Sequence, residues 1–292
     1  MKSRVDGPSP VAVELVTRAG TLRGLRWGRT SDASILALHG WLDNAASFIP
    51  LAPHLINDVR LIALDLPGHG HSEHRPPGVA YHFLDWVPMV MDVAAALGLE
   101  RFSLMGHSMG AGISSLVAGT FPECVERAIF LEGLGPLSGR TEDGPDSLKR
   151  HVAYGQRVRN KSLTPYPSRE EGAAVLQGAT GMSAESAALL VSRGMKEVAG
   201  GFIWRSDPRM RQPSALRLSE DQVVAFLKEI VAPSIFVAAT SGFPFDDESV
   251  RRRREAIPHL EVERLEGNHH VHMESPEAVA SLILPLLRSA QG

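Results

Sequence analysis

Six apolar runs that reach a glycine or polar turn recur along the chain: SILALHG from Ser34, RLIALDLPG from Arg60, RFSLMGHS from Arg101, RAIFLEG from Arg127, SIFVAATSG from Ser234 and LEVERLEG from Leu260. Short runs of this kind suit strands buried on both faces, as in a parallel sheet covered by helices. Two earlier segments, residues 11–16 and 22–27, alternate instead and are broken by Ala19-Gly20, which predicts an antiparallel pair near a sheet edge. Helices are predicted over residues 81–97, over 109–120 stopped by Pro122, over 247–256 stopped by Pro258, and over 276–287 with a proline in the first turn. Strand and helix alternate, so the fold class is α/β.

The alternation lapses over residues 137–231, where SGRTEDGPDS, TPYPSREEG and RSDPRMRQPS are polar and turn-rich around helical stretches such as 184–191. This predicts a core made of residues 1–136 and 232–292, interrupted by a helical cap at 137–231. The segment has no internal repeat or low-complexity tract.

Composition narrows the chemistry. The chain has 292 residues, 43% of them hydrophobic and 22% charged, with a formal net charge of −3. Such a balance lacks the basic field that holds nucleic acid or an anionic membrane, and it points to a small-molecule substrate. The single cysteine, Cys124, has no internal disulfide partner, and the start MKSRVDGPSPV lacks the apolar stretch of a signal peptide, so a cytoplasmic location is expected. No run approaches the roughly 18 to 20 apolar residues that span a bilayer. Composition leaves the oligomeric state open.

Gly106-His107-Ser108-Met109-Gly110 matches G-x-S-x-G, with an apolar run before it and a helix-compatible run after it. That context makes Ser108 the candidate nucleophile on a sharp strand-to-helix turn, where the flanking positions have no room for side chains. The first N–H groups of the following helix would face the site, and the Met109 amide is the expected first oxyanion donor. His39-Gly40-Trp41 closes the run from Ser34 and supplies the expected second donor, the Trp41 amide. The Trp41 side chain either lines a pocket or packs.

A serine nucleophile needs a base, expected on a loop beyond the last strand in the chain order serine, acid, histidine. LEGNHHVHMESPEAV offers His269, His270 and His272; His269 directly follows the strand and precedes a proline-opened helix, so it is the chosen base. The acid is Glu132, which ends a buried strand and so needs a partner, with Asp246 as the alternative. Asp246 has another available role, capping the helix that follows it. The histidine-rich stretches around His69, His71 and His74 and around His269 lack paired cysteines or an HExxH helix, so no metal and no cofactor are expected. The loop from Asp65 to Ser72 reads as architectural, and the run Arg251 to Arg254 as a solvated helix surface.

LHGWLDNAASF, DLPGHGHS, FSLMGHSMG and GNHHVHMESPEAVAS together resemble the α/β-hydrolase superfamily, and within it the serine hydrolase-like proteins. The resemblance implies a mostly parallel central sheet with helices on both faces, a helical cap between the sixth and seventh core strands, and hydrolysis without a cofactor. The chain also resembles haloalkane dehalogenases, some of which carry their acid after the sixth strand, where Glu132 stands. Those enzymes and the epoxide hydrolases use an aspartate nucleophile, and serine at position 108 argues against both activities. The superfamily's seventh-strand acid would fall on Phe245, one place before Asp246. The expected activity is hydrolysis of a small carboxylic ester, thioester or lactone through an acyl-enzyme. Hydrolysis of a carbon–carbon bond in a diketone by the same triad, and a non-catalytic receptor on the same fold, are the alternatives.

Overall fold

The computed structural model describes residues 9–30, 33–158, 163–244 and 246–289; Phe245 therefore lies outside the described residues. In chain order the strands are β1 (Val11–Thr17), β2 (Gly20–Trp27), β3 (Ser34–Leu38), β4 (Arg60–Asp65), β5 (Phe102–His107), β6 (Val125–Leu131), β7 (Met195–Val198), β8 (Gly201–Trp204), β9 (Ser234–Ser241) and β10 (Leu260–Asn268). The helices are α1 (Trp86–Ala96), α2 (Met109–Thr120), α3 (Gly144–Val158), α4 (Arg169–Thr180), α5 (Ala184–Gly194), α6 (Glu220–Lys228), α7 (Asp247–Ala256), α8 (Val271–Glu274) and α9 (Pro276–Arg288). Every apolar run became a strand.

Eight strands form one sheet in the order β1-β2-β4-β3-β5-β6-β9-β10. β1 pairs antiparallel with β2, and β2 with β4, while the remaining neighbours are parallel. β3, β4 and β5 are buried along their whole length, which is why they show no alternation. β10, at the edge, alternates between half-buried and exposed positions. Two apolar clusters cover the sheet. One joins its face to α1, α2, α6 and α7 through residues such as Val90, Ile113, Leu227 and Ala256, and the other joins the opposite face to α9 through Val279 and Ile283.

The helix expected from residue 81 begins at Trp86. Tyr81 is held outside it because its hydroxyl accepts from the Arg75 N–H and donates to Asp207, and a short 3-10 turn, Phe83–Asp85, leads into the helix. The insertion between β6 and β9 was expected to be helical, but it also contains the antiparallel hairpin β7–β8, turned by Gly200 at φ 87. Four-residue strands are too short to register as a periodicity. Arg253 also departs from the solvated surface expected of its run: it is 4% exposed and donates to Glu220 and the Leu134 carbonyl. Successive helix residues point about 100° apart, so one of four adjacent arginines had to face inward.

The insertion is tied to loops at the C-terminal ends of the sheet strands. Asn44 Nδ2 donates to the Leu190 carbonyl, Arg193 pairs with buried Asp65, the Asp207 N–H donates to the Gly68 carbonyl, and Asn268 Nδ2 donates to the Gly181 carbonyl. Among the described residues no helix is long and apolar enough to cross a membrane.

Two buried histidines lock the loops after β3 and β4 together. His39 Nε2 accepts from the Leu66 N–H at 3.0 Å while Nδ1 donates to the Gly40 carbonyl at 2.7 Å. His69 Nε2 accepts from the Leu42 N–H at 3.3 Å while Nδ1 donates to the Pro67 carbonyl at 3.2 Å. Both rings are thus neutral Nδ1–H tautomers. Burial pushes the His39 pKa down, and burial plus the neighbouring His39 pushes that of His69 down to about 3. Below pH 6.5 the unfolded chain takes up these protons and the folded chain does not, so stability should fall with acidification, by up to about 1.4 kcal/mol per pH unit for each ring. Urea unfolding at pH 7.5, 6 and 5 measures this slope, and His69→Gln should make it shallower.

Candidate active site

Ser108 sits between the end of β5 and the start of α2 with φ 52 and ψ −112. Tight packing forces that turn. A Cβ on Gly110 would come 1.9 Å from the Leu38 carbonyl oxygen, and one on Gly106 would come 2.3 Å from the Gly110 backbone. The elbow is therefore pressed against the end of β3, beside the loop that carries Trp41. Among the described residues the non-glycine positions with positive φ are Leu42, Ser108 and Glu132. Two of them are the expected nucleophile and acid, where local strain is a mark of function.

The register of β5, β6 and β9 brings the partners together. His107 pairs with Leu131, and Leu131 with Val237, so Ser108 and Glu132 each follow a strand end at the same level of the sheet. His269 stands on the loop between β10 and α8. The Ser108 hydroxyl is 2.8 Å from His269 Nε2, and His269 Nδ1 is 2.8 Å from Glu132 Oε2. Glu132 is 2% exposed, whereas Ser108 and His269 are half-buried and open to a substrate.

The Glu132 carboxylate is held by three donors. Besides His269 it accepts from the Ala239 N–H, and from the Phe243 N–H at 2.9 Å. Burial works to raise its pKa, but these hydrogen bonds outweigh burial and hold it below the usual carboxylate range. It is therefore held ionised beside the His269 ring. A Cβ on Gly242 would lie 2.0 Å from Glu132 Oε2, so only glycine leaves space for the carboxylate. Gly242→Ala should displace Glu132 and lower turnover by about 10- to 100-fold, measured as kcat/KM on a chromogenic ester.

Asp246 is exposed and its carboxylate accepts from the Ser249 N–H at 2.8 Å, as the N-cap of α7. The Met109 amide is at the first position of α2, and neither it nor the Trp41 amide donates to a protein acceptor among the described residues. The Trp41 indole N–H donates to the Met210 carbonyl at 3.0 Å, and the Arg211 guanidinium lies over its ring, so the side chain reaches toward the insertion. Phe202, Trp204 and Phe226 pack within or beneath the insertion: Arg169 lies over the Phe202 ring, Trp204 meets Tyr166 edge-on, and the Phe226 backbone lies against Gly119. The sequence reading missed Ala239, Gly242 and Phe243 as the cradle of the acid, because two of the three contribute only a backbone N–H. The Phe243 ring also lies 5.7 Å from that of His269.

The sequence model for the alpha/beta hydrolase fold matches residues 33–276. This chain belongs to that family. Among alpha/beta hydrolase relatives it is similar to a serine hydrolase-like protein of Danio rerio, 32% identical over 92% of this chain and 86% of the relative. A solved hypothetical protein of Pseudomonas aeruginosa PAO1 superposes with a TM-score of 0.90 at 36% identity, covering 95% of this chain and 98% of the other. A thioesterase domain from the curacin biosynthetic pathway superposes with a TM-score of 0.83 at 25% identity, over 95% of this chain and all of that one. The central sheet and flanking helices are those of the alpha/beta hydrolase fold, and the family makes this chain a hydrolase.

Proposed function

We propose that this protein is a serine esterase that cleaves a small carboxylic ester through an acyl-enzyme. The observation that carries this is the continuous pair of 2.8 Å contacts from Ser108 through His269 to Glu132. Ser108 Oγ attacks the carbonyl carbon as His269 Nε2 takes its proton; Glu132 holds the ring by Nδ1–H and stabilises the imidazolium. The amides of Trp41 and Met109 receive the negative charge that forms on the carbonyl oxygen. His269 then protonates the leaving alkoxide, and a water molecule, deprotonated by the same ring, releases the acid and restores Ser108.

A thioester is the second substrate class, favoured by the similarity to the curacin thioesterase domain. The triad serves either, since the acyl carbon is the same and only the leaving group differs. In this reading the insertion between β6 and β9 is a cap that selects the substrate, because its hydrogen bonds reach the loops beside Trp41 and His269.

A fluorophosphonate probe tests the proposal. The expected result is one adduct on Ser108 in the folded protein, located by peptide mass spectrometry, together with turnover of short p-nitrophenyl esters or acyl thioesters. A folded protein that neither takes up the probe nor turns over either substrate class would overturn it.

A further inference from the structure

Behind the triad lies a buried polar cluster that ester hydrolysis does not use. Asp43, His107 and His270 are 6%, 1% and 4% exposed. Asp43 Oδ2 stands 3.4 Å from His107 Nδ1 and 3.4 Å from His270 Nε2, and each of the three residues offers a ligand atom within 4.8 Å of the others. Proton accounting makes this arrangement unusual. His107 Nε2 is 2.8 Å from the His269 carbonyl oxygen, and a carbonyl only accepts, so Nε2 carries the ring proton. In the neutral ring Nδ1 is then a bare lone pair facing a carboxylate oxygen. Neither His107 Nδ1 nor Asp43 Oδ2 has a hydrogen-bond partner. Opposed lone pairs on buried side chains need a donor or a cation between them, and two imidazoles and a carboxylate converging on one point are the donor set of a cation site.

We propose that Asp43 Oδ2, His107 Nδ1 and His270 Nε2 form a structural site for a divalent transition-metal ion, zinc by its ligand types. Zinc at about 2.0–2.1 Å from each donor sets tetrahedral ligands about 3.3–3.4 Å apart, which matches both separations from Asp43. Donation of the other ring N–H to a backbone carbonyl, as His107 does, is the usual support of a metal-bound imidazole. Gly40 also fits, because a Cβ there would come 2.8 Å from His107 Nδ1 and 2.9 Å from Asp43 Oδ2 and crowd the space where they meet.

The position of the cluster says what such an ion would do. Asp43 follows Trp41 by two residues, His107 immediately precedes Ser108, and His270 immediately follows His269. One ion would therefore fasten the loop after β3, the elbow and the histidine loop to each other from behind. It would position these loops without touching the substrate.

Binding is tested on the full chain after chelator treatment, with Zn²⁺ titrated against a chromophoric chelator and Co²⁺ followed by its visible absorption. The expected result is one equivalent of either ion, a cobalt spectrum of low coordination number, and a higher melting temperature in the loaded protein. Asp43→Asn and His270→Gln should each weaken binding at least tenfold, whereas His259→Ala, at an exposed turn position just before β10, should not change it. Circular dichroism shows whether each variant is folded; if one is not, the other variant and the wild-type cobalt spectrum decide. Absence of binding by the wild type at millimolar ion overturns the site and leaves a proton shared between Asp43 and His107 as the cation. Stoichiometric binding that survives in both folded variants overturns it equally.

Discussion

Ser108→Ala is expected to lower kcat/KM on an activated ester by about 10⁴-fold or more and to abolish fluorophosphonate labelling, with little change in stability. The substitution removes only the hydroxyl. Alanine keeps the Cβ that serine already places at φ 52, so it adds no backbone strain at the elbow. His269 Nε2 loses its 2.8 Å partner, but the ring is half-buried and water can replace the lost contact. A melting transition within a few degrees of wild type would therefore show that lost turnover reflects lost chemistry. Activity of the variant within tenfold of wild type would remove Ser108 from the mechanism.

Glu132→Gln is expected to cost about 10³- to 10⁴-fold in turnover, the scale at which an orienting carboxylate matters in a serine triad. The replacement is isosteric but electrostatically wrong. His269 Nδ1–H and the Ala239 and Phe243 N–H groups all converge on this side chain, and a carboxylate can accept from each of them. A carboxamide offers one oxygen and must turn its own N–H toward a donor, leaving a buried conflict worth about 1–3 kcal/mol. The imidazolium formed during attack would also lose its counter-charge. Asp246→Asn should leave turnover within about twofold of wild type, because asparagine caps a helix as well as aspartate does. Asp246→Ala should cost about 1 kcal/mol of stability by urea unfolding, again without a matching loss of turnover. The opposite ranking of Glu132→Gln and Asp246→Asn would transfer the acid's role to Asp246.

The contrast between these two carboxylates also shows where local reading succeeds. Glu132 ranked ahead of Asp246 by its place, since one follows a buried apolar run and the other precedes a polar helix, but the sequence left both open. The elbow was readable for a related reason. Glycines at positions 106 and 110 around a serine, between a strand and a helix, leave little else for that turn to be. Strands β3 to β6 were equally plain, since burial on both faces leaves their central positions almost wholly apolar and confines most charged residues to the strand ends. Where both faces are not buried, or an element is short, the pattern thins. The hairpin β7–β8 was invisible because its strands are four residues long, and the late start of α1 at Trp86 because it depends on the contact of Tyr81 with distant Asp207.

The sequence by itself determined the sheet's buried strands, the elbow at Ser108, the terminal His269 and a short choice of acids, because each leaves a local signature of apolar runs, glycine spacing or chain order. Only the tertiary structure decided that Glu132 rather than Asp246 meets the His269 ring, that Gly242 makes room for its carboxylate, and that Asp43, His107 and His270 meet behind Ser108 and His269. Those relations join residues from separate loops through parallel strand register and backbone donors. No local pattern records them, because the chain brings such groups together only when the sheet is assembled.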